Sequence, residues 1–93
     1  MPSALLDFLG YAIYFWAGDK DEPIHVHVAK GRPTPDATKF WITNSGVKLA
    51  NNNSQIPSSD LKKIRKYITE GRSEIITSWI DYFGAGKVKF VED

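Results

Sequence analysis

The chain contains no cysteine, one methionine and no apolar run approaching the roughly 20 residues that cross a bilayer. Without cysteine it has no disulfide staples, on which small secreted domains usually depend, and no thiol nucleophile. The opening Met1-Pro2-Ser3-Ala4 carries no basic stretch of the kind that starts a secretory signal. These absences together set the expectation of a cytoplasmic protein with no membrane partner. An excess of one charge is missing too. Twelve Lys and Arg stand against eleven Asp and Glu, a formal net charge of +1, too balanced to attract nucleic acid by bulk charge. There is no repeat, no low-complexity tract and no internal linker. No phosphate-binding glycine loop and no serine nucleophile elbow is present.

What is there fits one domain. Ninety-three residues bury roughly two thirds of the unfolded chain's surface, so stability is modest. An apolar fraction of 42% and an aromatic fraction of 13% supply a core. Tyr11-Ala12-Ile13-Tyr14-Phe15-Trp16 is rich in strand-favouring aromatics. Gly18-Asp19-Lys20-Asp21 turns the chain. Ile24-His25-Val26-His27-Val28 then alternates with period two, valine and isoleucine on one face, histidine on the other. Residues 37–43 read as a third strand and residues 47–50 as a short edge strand, followed by an exposed Asn51-Asn52-Asn53-Ser54 loop.

The second half changes period. Ser58 or Ser59 can cap a helix, with Asp60 in its first turn. Leu61, Ile64, Ile68, Ile75, Trp79, Tyr82 and Phe83 fall in an arc about 100° wide at helical spacing. Gly71 interrupts the pattern and marks a kink or the join of two shorter helices. The expected fold class is therefore α+β: a small antiparallel sheet of three to four strands packed on one long amphipathic C-terminal helix. The sheet occupies residues 10–50 and the helical segment 57–84. Residues 1–9 form an extension, within which Ser3 to Leu9 reads as a helical turn, and residues 85–93 a tail or short strand.

His25 and His27 are the first candidates for chemistry. Alternate strand residues leave one face about 7 Å apart. Two imidazoles so placed can act as acid and base on one substrate, share a metal, or simply hydrogen-bond to polar neighbours. Asp19, Asp21 and Glu22 stand just ahead and can orient a ring. Two histidines are half a zinc site and the other ligands are not spelled out, so no cofactor and no metal is expected, with His25 and His27 the place where a metal would go. Arg72 falls inside the helix's apolar arc; its head must reach solvent, or a partner such as a bound anion or the histidine face. Trp16, Trp41 and Trp79 suit a core better than a base-stacking platform. Lys62, Lys63 and Lys66 read first as a solvated helix face.

Several of these segments together resemble a known family. Gly10-Tyr11, Phe15-Trp16, Glu22-Pro23-Ile24-His25-Val26-His27-Val28, Ala37-Thr38-Lys39-Phe40-Trp41, Trp79 and Tyr82-Phe83 are similar, in order and spacing, to the bacterial family called domain of unknown function 4160. Members often carry a second proline where Ile24 stands, and a shorter segment before the first strand. The resemblance implies a short, stand-alone protein, encoded beside a small partner protein in a toxin–antitoxin-like pair. The leading expectation is thus a binding component of such a module, with Asp19, Glu22, Trp16 and Trp41 as binding residues. A second is a small RNA-directed hydrolase with His25 and His27 as acid and base and Arg72 or Lys39 on a phosphate. A third is a dimerisation domain without catalysis. In each case the site is expected on a histidine face left free by the helix, so that replacing both histidines costs little stability.

Overall fold

The computed structural model describes residues 2–92, with side chains from Leu6 onward. Five strands form one antiparallel meander in the order β1-β2-β3-β4-β5. They are β1 (Pro2–Phe8), β2 (Tyr11–Trp16), β3 (His25–Lys30), β4 (Thr38–Ile42) and β5 (Val47–Asn51). Two helices follow, α1 (Ser58–Glu70) and α2 (Arg72–Phe83). The sheet is thus wider than the three to four strands expected, and two helices replace the single long one. Gly71 is their join: its N–H still reaches the Tyr67 carbonyl at 2.9 Å while its own carbonyl accepts from Ile75.

The extra strand is the N-terminal extension, which is not a helical turn. Phe8 pairs with Tyr11 and Leu6 with Ile13, which leaves Leu9 and Gly10 as a two-residue hairpin loop. Both have positive φ, 54° and 81°, as the tight turns that match strand twist require. Gly10 adopts this at no steric cost. Leu9 does not, and its side chain is 51% exposed, so packing does not compensate it. Leu9→Asn is therefore expected to stabilise the protein by about 1 kcal/mol, or roughly 4–8 °C in a domain of this size. A thermal melt checks this; an unchanged or lower Tm would contradict the strain assignment.

The two helices cover one face of the sheet. Ile64 and Ile68 of α1, and Ile75 and Trp79 of α2, are buried against Ile13, Phe15, Ile24, Val26, Val28, Phe40 and Ile42. The three apolar residues of the alternating segment, Ile24, Val26 and Val28, are all fully buried, as the period predicts. Tyr11 ties this layer to α1, donating its hydroxyl to Asp60 at 2.8 Å. Tyr82 leaves the apolar arc and stands 52% exposed.

The other face is covered as well, by loops. Ala12, Tyr14, Ala29 and Ala37 form a second, smaller core. The Tyr14 hydroxyl donates to the Thr34 carbonyl at 2.8 Å and accepts from the Thr34 N–H at 3.0 Å, which holds the loop before β4 down on the sheet. The Asn52–Ser54 segment is bonded inward. Asn52 Oδ1 accepts from the Thr38 hydroxyl and the Ile56 N–H, and Ser54 Oγ links Val28 and Thr38. The tail docks on the same molecule. After a 3-10 turn at Ala85–Lys87, the Lys89 carbonyl accepts from the Ile24 N–H at 2.8 Å, and Val91 makes a single parallel bridge with Thr43.

Candidate functional site

Strand alternation puts His25 and His27 on the face away from the helices, and cross-strand register then selects their neighbours. His27 lies between Tyr14 and Lys39, and His25 lies beside Trp41. The Tyr14 ring stacks on His27 at 5.6 Å, and the edge of His25 meets Trp41 and Trp79 at 5.5 Å each. The Ala17–Asp21 segment forms a 3-10 turn directly after β2 and brings Asp19 back over β3. The Trp16 N–H donates to Asp19 Oδ2 at 2.8 Å and pins the turn.

The result is a cluster centred on one oxygen. Asp19 Oδ2 lies 3.0 Å from His25 Nε2 and 3.1 Å from His27 Nε2. The His27 contact is a hydrogen bond. The His25 contact is close but lacks hydrogen-bond geometry, so His25 Nε2 is a buried nitrogen with no hydrogen-bond partner among the described residues, as is His27 Nδ1. His25 Nδ1 lies 2.8 Å from the Pro23 carbonyl. A carbonyl only accepts, so Nδ1 carries a proton. Burial pushes the Asp19 carboxyl up, but the two imidazoles and the Trp16 N–H outweigh it and hold Asp19 well below the ordinary carboxylate range.

This face is therefore not the free surface expected from the sequence. His25 is fully buried and His27 is 9% exposed. One helical layer covers one side of a small sheet, but here the Ala17–Asp21 turn and Trp41 close the other side over the histidines, and Trp79 reaches His25 from α2.

The remaining candidates lie around the cluster or away from it. Lys39 pairs with Glu22 at 2.8 Å and sits 4.1 Å over the Trp41 ring, so Glu22, Lys39 and Trp41 form one connected rim. Trp16 packs edge-on to Tyr14 at 5.5 Å. Arg72 is not brought to the histidines. Its guanidinium donates to the carbonyls of Thr43 and Asn44 and lies over Phe90 at 5.6 Å, so it fastens the start of α2 to the end of β4. Asp21 faces the tail, 3.4 Å from Lys87. His25, His27, Lys39 and Arg72 thus do not share one solvent-open cleft. Two neighbours escape the sequence reading: Tyr14, whose place beside His27 follows from β2–β3 register, and the Pro23 carbonyl, a backbone group that no side-chain pattern shows. Trp79, read only as core, also touches His25.

A second feature lies on the opposite side of the molecule. Between β5 and α1 runs a groove of about 720 Å³, lined by Phe40, Leu49 and Leu61 and by Lys62, Lys63, Arg65 and Lys66. Among the described residues no helix is long and apolar enough to cross a membrane.

Fold and cluster together define a small α+β domain: an antiparallel five-stranded meander backed by two helices, with a carboxylate held between two strand histidines. A family model matches residues 10–80, and the chain belongs to that family, Domain of unknown function (DUF4160). No curated protein and no solved structure matches the chain.

Proposed function

We propose that the protein is the binding component of a two-gene, toxin–antitoxin-like module, and that it holds an acidic, amphipathic segment of a small partner protein between β5 and α1. The observation that carries this reading is the groove itself. Its apolar lining includes Leu49, which is 37% exposed, on an edge strand. Its rim carries four cations. Among the described residues no carboxylate pairs with Lys62, Lys63 or Lys66, and Arg65 donates to the Val47 carbonyl. An apolar strip beside unpaired positive charge is complementary to a segment with acidic residues flanking an apolar anchor.

RNA fits the groove less well. Base stacking needs an open ring, and the groove's aromatic residue, Phe40, is fully buried. The hydrolase reading gains no support either, since His25 is sealed from any substrate and Arg72 is engaged elsewhere.

The test is co-expression with the product of the neighbouring gene. The two proteins are expected to co-purify, with affinity falling as salt rises. Lys62→Glu combined with Lys66→Glu is expected to weaken the complex at least about tenfold while Tm moves by less than about 2 °C, because both side chains are exposed. A complex indifferent to both reversals would place the interface elsewhere. Binding of RNA in place of the neighbour's product would replace this reading.

A further inference from the structure

We infer that Asp19, His25 and His27 form a binding site for one divalent transition-metal ion of the zinc class. The donor set is two imidazoles and one carboxylate. Such mixed nitrogen and oxygen sites suit Zn²⁺ and its neighbours, whereas Mg²⁺ and Ca²⁺ favour oxygen ligands throughout. One ligand atom from each of the three residues lies within 4.8 Å of the other two.

Proton accounting points the same way. In neutral His25 the Nδ1 proton goes to Pro23, so Nε2 presents a lone pair. That nitrogen stands 3.0 Å from a carboxylate oxygen, the second atom an ion there would meet. Both atoms are ligand types that one cation can meet together, and the ring that carries Nε2 is fully buried. A metal ion meets both atoms at once without lying on the line between them.

Spacing and support fit an ion as well. Ligands at zinc distances and a tetrahedral angle are roughly 3.3 Å apart. The Asp19 oxygen is 3.0 and 3.1 Å from the two Nε2 atoms, so only a small outward shift is needed on these two sides, with the His27 proton that now faces Asp19 moved to the ring's other nitrogen, Nδ1. The Pro23 carbonyl on Nδ1 orients His25 as backbone carbonyls orient metal-ligating histidines. The Trp16 N–H steadies the carboxylate. The side chains of Asp19 and His27 are each 11% exposed while that of His25 is closed, so an ion enters, and water completes its shell, from the Asp19–His27 side. Bound there, it would fix the Ala17–Asp21 turn to β3.

The experiment uses tag-free protein stripped with EDTA, then titrated with ZnCl₂ by calorimetry and by thermal melting. The background is low, because the chain has no cysteine and no histidine beyond these two. The expected result is one saturable site, with Tm raised by roughly 10 °C at a hundredfold excess over Kd. Co²⁺ is expected to give visible d–d absorption. Asp19→Asn and His27→Gln keep side-chain size and are each expected to weaken Zn²⁺ binding at least tenfold. Nitrogen-15 imidazole spectra read the site even where a variant is unstable: in the native chain Zn²⁺ should move the His25 Nε2 resonance and leave Nδ1 protonated. Absence of saturable binding, equal binding by both variants, or a His25 Nε2 that is protonated and indifferent to Zn²⁺ would overturn the site.

Discussion

Replacing both His25 and His27 with alanine is expected to lower Tm by about 10 °C or more in metal-free protein. Strand alternation taken alone predicts the opposite, a small loss, because it places both rings on a face that the helices leave open. The structure changes the expectation through burial. Removing the rings leaves a cavity between Trp41, Trp79 and Tyr14, with the cost that cavities carry. It also leaves the Asp19 carboxylate nearly buried with the Trp16 N–H as its remaining described partner. Breaking a buried pair by deleting one side costs about 3–5 kcal/mol, since the other charge stays behind unpaired. Adding Asp19→Ala to the double variant removes that charge, so the triple variant should recover part of the loss. Melts of the double and triple variants decide it. A double variant within about 2 °C of the parent, or a triple variant less stable than the double, would show that the cluster does not hold the turn.

The same comparison shows which parts of the molecule a linear reading reaches. Period two in residues 24–28 separates the buried Ile24, Val26 and Val28 from the histidines, because side-chain alternation is a property of any extended strand. The helical arc finds Ile64, Ile68, Ile75 and Trp79 for the corresponding reason. Gly71 marks the helix break because glycine weakens a helix wherever it stands. The first strand escapes. Ala4-Leu5-Leu6 has no β-branched residue, and the turn that identifies the hairpin places Leu9, a poor left-handed residue, beside Gly10.

The site escapes in a different way. Its residues are legible; its closure is not. Asp19 stands six residues before His25 in the chain and meets it only because the Ala17–Asp21 turn folds back, and His25 meets Trp79 across 54 positions. Arg72 is legible as anomalous, a cation in an apolar arc, but its partners are backbone carbonyls at Thr43 and Asn44, and backbone acceptors carry no residue signature. The groove between β5 and α1 likewise depends on β5 lying at the sheet edge beside α1, a matter of topology rather than composition.

Trp79→Ala is expected to be the most damaging single change, costing about 3–5 kcal/mol and roughly 15 °C or more in Tm. Trp79 is fully buried, and its ring meets Phe15 at 5.1 Å, Phe83 at 4.7 Å and His25 at 5.5 Å. It therefore joins the main core to the histidine cluster. Its Nε1 donates to the Lys87 carbonyl at 3.1 Å, which anchors the turn from which the tail runs back to Ile24. Two losses are thus combined, and a second variant separates them. Trp79→Phe keeps much of the apolar volume but deletes the donor, so it should cost only about 1–2 kcal/mol. Both variants release Lys87, and hence both should speed hydrogen exchange at the Ile24 amide, which is bonded to Lys89. Only Trp79→Ala should also loosen the Phe15 and Phe83 contacts and shift the His25 imidazole resonances strongly. If Trp79→Phe proves as destabilised as Trp79→Ala, the indole's hydrogen bond outweighs its packing. If neither speeds exchange at Ile24, the tail is held independently of Trp79.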